Sequence, residues 1–142
     1  MATIRQNLTS NQAITITLAS LANAATAVSS AIDNSTNLFI GADVQIKFKT
    51  GGSVSGSGTL DVYLLRSLDG TGTLYDDSVS ATATLIDNFP ATVATTTQVV
   101  SMSIEVLPSR WKLMVVNNTG GTLDATGGNF SVIFEGKKLE TV

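Results

Sequence analysis

Hydrophobic and polar residues alternate along several stretches of this chain, the mark of strands with one buried face. The longest stretch runs from Leu38 to Lys49. Leu38, Ile40, Ala42, Val44, Ile46 and Phe48 fall on one face, with Phe39, Gly41, Asp43, Gln45, Lys47 and Lys49 on the other. Thr50-Gly51-Gly52-Ser53 and Gly56-Ser57-Gly58 read as breaks, after which Leu60, Val62 and Leu64 form the next inward row, opposite Asp61, Tyr63 and Leu65. Val100, Met102, Ile104 and Val106 alternate with Ser101, Ser103 and Glu105 until Pro108, which cannot donate to a ladder, ends the run.

Elsewhere the pattern is less regular. Arg110 to Asn117 is almost continuously apolar, which predicts a strand covered on both faces. Asn117-Asn118-Thr119-Gly120-Gly121 is a turn, and a last strand spans about Asn129 to Glu135 with Phe130, Val132 and Phe134 inward. Val79 to Ile86 is expected to be a strand of weakly specified register, and Phe89-Pro90 a connection. Ala13 to Ile32 fits a helical face at Leu18, Leu21, Ala22, Ala25 and Ile32. The alternation of Ile14, Ile16 and Leu18 and the Thr and Ser between them favour two strands around Ala19 to Asn23. The sum is about eight strands, no strong amphipathic helix and no repeat of fixed period. An all-β antiparallel β-sandwich, jelly-roll-like, is the expected fold, with a barrel as the alternative. Residues 13–142 form its single domain, and residues 1–12 (Met1 to Gln12), which carry no strong pattern, an N-terminal arm able to order on a partner.

Composition narrows the chemistry. The 142 residues include 20 Thr, 15 Ser and 12 Gly but no Cys and no His, and only 13% are charged. Thiolate metal sites, disulfides, cysteine nucleophiles and histidine bases are therefore absent. A net charge of −3 argues against nucleic acid as a partner. The most apolar stretch, Ala13 to Ala31, carries polar residues at regular intervals; it fits a strand better than a signal peptide or a membrane span.

Candidate sites are few. Asp69, Asp76 and Asp77 offer only part of a calcium shell, so solvated turn carboxylates are expected and no metal or cofactor is assigned. Gly51 to Gly58 resembles a phosphate cradle but lacks its Lys and following helix, which leaves a flexible hairpin. Glu105 and Glu135 lie on strand faces as outward charges, and no nucleophile has a base beside it, so no catalytic residue is assigned and the chain reads as a non-enzyme. Four Asn-x-Ser/Thr triplets match the glycosylation sequon at the level expected by chance. Phe39, Tyr63, Leu65, Val99, Met114, Val116 and Ile133 all oppose the inward row of their strands. Such a set implies either a second covered sheet face or a subunit interface, and the interface is the preferred reading.

Several segments resemble a group of small tailed-bacteriophage virion proteins. They are Leu18-Ala19-Ser20-Leu21-Ala22, Ala31 to Phe39, Asp43-Val44-Gln45-Ile46-Lys47, Val62-Tyr63-Leu64 and Trp111 to Gly127, in that order along the chain. The resemblance implies a capsid decoration (cement) protein made in the host cytoplasm and carried on the phage head surface. It would bind the major capsid protein as a homo-oligomer, a trimer being favoured and a dimer the alternative, with neither nucleic acid nor membrane as partner. No active-site motif comes with the resemblance. A tail component (tube, terminator or fibre-base protein) is the runner-up, and a carbohydrate-binding β-sandwich module the third reading.

Overall fold

The computed structural model describes residues 3–76, 79–80, 82–91 and 93–141. Its strands are β1 (Ile4–Leu8), β2 (Gln12–Ala13), β3 (Thr26–Val28), β4 (Ile32–Asp33), β5 (Gly41–Lys49), β6 (Thr59–Ser67), β7 (Thr84–Pro90), β8 (Thr97–Ile104), β9 (Arg110–Asn118) and β10 (Ser131–Thr141). A 3₁₀ turn at Gly127–Asn129 precedes β10. All pairings are antiparallel. One sheet has the order β1-β10-β5-β8 with β2 also on β10; the other has β3-β9-β6-β7 with β4 also on β9.

The two sheets form a sandwich, and its topology is that of a jelly roll. Only β6 and β7 are consecutive partners; every other pairing joins strands far apart in sequence, and the chain changes sheet at β2–β3, β4–β5, β5–β6, β7–β8, β8–β9 and β9–β10. β1 and β2 occupy successive stretches of one edge of β10, and β3 and β4 do the same on β9. Each couple is one interrupted edge strand, so the ten segments make an eight-strand jelly roll. At the second interruption Ser29 N–H bonds the Leu113 carbonyl at 2.8 Å, and Ser29 Oγ accepts from Leu113 N–H at 3.0 Å. The hydroxyl thus carries the ladder across the break.

Alternation produced the core. Ala42, Val44, Ile46 and Phe48 of β5 face Leu60, Val62 and Leu64 of β6 and Trp111, Leu113 and Val115 of β9, all buried. Trp111 packs edge-on to Phe134 at 5.4 Å, and Phe134 edge-on to Phe39 at 6.3 Å. Layers of this kind carry most of the fold's stability, since each fully buried large apolar side chain contributes on the order of 1.5–3 kcal/mol.

Several boundaries differ from the periodicity. Residues 4–8 are not a free arm; they pair with Lys137 to Thr141 as a sheet-edge strand. Between residues 13 and 26 there are no two strands: the chain runs irregularly, anchored by buried Ile14 and Leu18, and positive φ at Ser20 and Ala24 turns it twice before β3. Residues 79–80 and 82–83 turn rather than extend, and the strand begins at Thr84 and includes Phe89 and Pro90. Pro90 is tolerated because β7 is an edge strand and the proline is its last residue. Leu38 and Ile40 are exposed while Phe39 is buried, the reverse of the expected faces. Leu38 has φ +54°, so the chain turns before β5 begins and the alternation seen in sequence starts only at Gly41.

Candidate functional site

The topology sorts the loops onto two ends. Segments 14–25, 50–58, 93–96 and 119–130 meet at one end. Asn23 accepts from Gly120 N–H, Thr50 Oγ1 from Thr95 N–H, and Leu21 O from Leu123 N–H. This end holds Gly51, Gly52, Gly56, Gly58, Gly120, Gly121, Gly127 and Gly128, and it is organised by buried Asn117. The Asn117 side chain donates to Leu21 O at 2.8 Å and Gly121 O at 2.9 Å, and accepts from Thr119 N–H and Thr119 Oγ. Gly58 cannot carry a side chain: a Cβ there would lie 2.3 Å from the Thr119 carbonyl oxygen.

The opposite end gathers segments 34–40, 68–76 with 79–80 and 82–83, and 105–109, and it exposes aliphatic side chains. Asn34 pins the first of these by donating to Phe39 O at 2.9 Å and accepting from Phe39 N–H at 2.8 Å. Leu107 N–H donates to Ile40 O at 3.0 Å, which fastens the third segment to the first. Phe39 and Leu107 turn inward, while Leu38 is 68% exposed and Val106 78% exposed, with Ile40 beside them around an open depression. Leu68 and Leu74 are exposed in the neighbouring loop.

A two-stranded ribbon projects from the same end. β5 stops pairing with β10 at Gly41–Lys137, so Lys138 to Thr141 pair with β1 alone. At about 3.3 Å per residue the ribbon extends roughly 13 Å past the sheet. Directly opposed residues share a face, so Ile4, Gln6, Leu8, Leu139 and Thr141 lie together, with Lys137 opposite Leu8 at the base. Arg5, Asn7 and Glu140 take the other face. There Asn7 donates to Glu140 at 2.8 Å, and Arg5 sits 3.8 Å from it. At the ribbon's base Lys137 Nζ meets Asp43 at 2.7 Å. That contact, with the Ser103 hydroxyl, holds the Asp43 carboxyl below the usual range.

The outward apolar set lies mostly inside the chain. Tyr63, Leu65, Met114 and Val116 form a second buried cluster on the outer face of β6 and β9, with Tyr75 and Ala83 of the 68–83 loop packed over them. Asp69 shapes that loop. Its carboxylate accepts seven hydrogen bonds, from Ser67 Oγ, from both N–H and Oγ of Thr71 and Thr73, and from the backbone of Gly72 and Leu74. These bonds, led by the Ser67 and Thr73 hydroxyls, hold its pKa far below the ordinary value. Lys112 Nζ lies 4.0 Å over the Tyr75 ring and holds the loop's far side.

The expectation that Tyr63, Leu65, Met114 and Val116 face a subunit is therefore corrected: the alternative of a second covered face is the one observed. Phe39 is likewise corrected, since it belongs to the main core. Ile133 is half-buried opposite Ala13, and Val99 is exposed on β8. Leu38, Ile40 and Val106, assigned inward by alternation, are among the residues on the surface. The signal that marks Leu38 and Ile40 is Phe39, too large and apolar to share an outward row with Asp43 and Lys47.

The remaining candidates disperse. Asp76 is bound by Arg66 at 3.1 Å rather than aimed with Asp69 at a common point, and Asp77 lies outside the described residues. Among the described residues no group of three acidic side chains is placed to hold a metal ion. Residues 51–58 do not form the expected hairpin, since β5 and β6 belong to different sheets; they are a crossover loop folded onto the 119–124 loop by Gly51–Thr122 and Ser55–Thr119 backbone bonds, so the fit it offers is to its own chain. Glu105 stands exposed past the end of β8, and Glu135 is opposite Asp43 in the ladder. Trp111, Phe48, Phe89 and Phe134 are core residues, and Tyr63 is under the loop, so the described aromatics form no exposed coplanar platform. No described helix is long and apolar enough to cross a membrane.

No family model matches this chain, and no curated protein matches it. A solved structure described as "CBM4 structure and function" aligns over 89% of this chain and 81% of its own, at 9% identity and a TM-score of 0.34. At that level the likeness says nothing of a ligand. What the geometry itself presents is a jelly roll with a hydroxyl- and glycine-rich end, an aliphatic end, and no assembled reaction centre among its described residues.

Proposed function

We propose that this chain is a structural protein of a tailed-bacteriophage virion, a decoration (cement) protein that binds the head and bridges capsomers without catalysing a reaction. The observation that carries the reading is the concentration of exposed Leu38, Ile40, Val106 and the ribbon's Ile4 and Leu139 at one end. Scattered exposed aliphatics are ordinary, but a group framed by a projecting ribbon suits docking against protein. The segment resemblance supplies the particle, and the neutral hydroxyl surface lowers the desolvation cost of lying against neighbours. Many equivalent copies on one shell turn a modest interface into high avidity. The partner is the major capsid protein.

The test compares expanded heads with and without the purified chain during heating and dilution of salt. Bound heads are expected to rupture later, and the Leu38→Asp/Val106→Asp double variant, folded by circular dichroism, is expected to leave them unprotected. Equal robustness with and without the chain overturns the cement role. Gold-labelled chain found on tails in electron micrographs would move the protein to the tail.

A further inference from the structure

We propose that β1 is a self-pairing edge, joining two copies of this chain about a two-fold axis through Gln6. All five residues of β1 are exposed, and among the described residues its outer side has no partner strand. Thr9 N–H donates to Gly136 O. Bonded and non-bonded pairs alternate in an antiparallel ladder, so Asn7 and Arg5 also turn their backbone groups toward β10. Ile4, Gln6 and Leu8 therefore direct theirs to the open side. Natural edge strands are usually blunted by proline, a bulge or charged side chains, lysine above all. β1 has no proline, lysine or bulge, and its one charge, Arg5, sits beside Glu140 of β10.

The sequence of β1 selects one register. Three antiparallel self-pairings, centred on Arg5, Gln6 or Asn7, keep every side chain on its own face. Centred on Arg5, two guanidiniums oppose each other, a like-charge contact that destabilises a pair. Centred on Asn7, apolar Leu8 opposes polar Gln6. Centred on Gln6, Ile4 meets Leu8 of the second copy, Gln6 meets Gln6, and Arg5 meets Asn7. That register pairs all three outward-directed residues of each strand, giving six backbone hydrogen bonds where the other two give four. On one face the resulting four-stranded ribbon carries Ile4, Leu8 and Leu139 of each copy; on the other, the row Glu140, Arg5, Asn7, Lys138 has no like charges in direct opposition.

The projection of the ribbon makes this contact reachable. The tip at Ile4 stands beyond the sheet, so the two sandwiches lie at opposite ends of the shared ribbon and need no rearrangement to meet. β8, the other edge of the same sheet, is flanked by β7, which contacts it where the sandwich closes. The inference does not depend on the capsid reading: it concerns the free chain in solution.

Sedimentation equilibrium of the full chain is expected to give twice the 14.7 kDa chain mass. Gln6→Pro removes the central donor, and Gln6→Lys puts two ammonium groups on the axis. Each is expected to weaken association on the order of tenfold or more while leaving the unfolding transition of the sandwich in place. Because the chain has no cysteine, Gln6→Cys is expected to form an intermolecular disulfide on mild oxidation, and Ser101→Cys on β8 is not. A monomer at every concentration overturns the inference. So does a dimer insensitive to both Gln6 variants, or cross-linking through Ser101→Cys in place of Gln6→Cys.

Discussion

Replacing Met114 by alanine tests whether the outer face of β6 and β9 is an internal layer of the chain. Met114 is fully buried, although it points away from the main core, and it opposes Tyr63 in the ladder. The substitution removes three heavy atoms from contact with Tyr63, Leu65, Val116 and the covering Tyr75. Burial of a methionine side chain contributes roughly 1.5–3 kcal/mol, and the cavity left behind adds to the loss, so Met→Ala in a core costs about 2–5 kcal/mol. Here the lid is a loop, free to settle into part of the space, and the lower half of that range applies: about 2–3 kcal/mol, or roughly 5–10 °C in Tm for a domain of this size. Urea unfolding followed by the fluorescence of the single buried tryptophan, Trp111, reads the change as a lower midpoint at unchanged slope. The loss should be identical at all protein concentrations, because the contacts are intramolecular. A cost under about 0.5 kcal/mol, typical of exposed positions, would refute the layer. A loss that grows on dilution would restore the subunit interface.

Three further outcomes follow from the hydrogen-bonded loops. Asn117→Ala strands two carbonyls and the Thr119 donors in a buried site and should cost about 3 kcal/mol in the same urea assay. Asp69→Asn places an amide where seven donors converge, and should make the 68–83 loop an early site of limited proteolysis and raise binding of a hydrophobic dye, with the main unfolding transition kept. Acid acts through carboxyls whose folded pKa is lowered: Asp33 by Ser35 and Arg110, Asp43 by Lys137 and Ser103, Asp124 by Thr126 and Asn129. Their contribution is complete above the unfolded carboxylate pKa of about 3.9 and is lost as pH falls below it through the folded values. The urea midpoint should therefore be flat from about pH 5 to 7 and drop below about pH 4; a midpoint that rises in acid contradicts these contacts.

Strands whose two faces differ were legible from residues alone. In β5 and β8, buried residues recur every second position, and the near-continuous apolar run of β9 announced cover on both sides. What escaped was set by contacts far away in sequence. Nothing local distinguishes a residue covered by a subunit from one covered by a distant loop, so Leu65 and Met114 read as interface. The loop that covers them is ordered by the convergence of polar donors on Asp69, which has no periodicity. β1 lacks an alternating apolar row because it buries no face; it is a strand only because β10 runs on past β5. At the aliphatic end, Leu38, Phe39 and Ile40 were misread for one conformational reason, the positive φ at Leu38, which reverses the faces of the three residues before β5.

The opposite end has a use in engineering. The 51–58 loop closes on the 119–124 loop through backbone bonds, yet at its exposed tip an added Cβ on Gly56 would meet no atom within 4 Å. Exposed tips of small residues accept inserted sequence with little loss, since the entropy of a longer loop grows only slowly with length. A peptide grafted there would be held about the full length of a strand from Leu38 and Val106. On a shell coated through the aliphatic end, every graft would point outward, in as many copies as the shell has docking places.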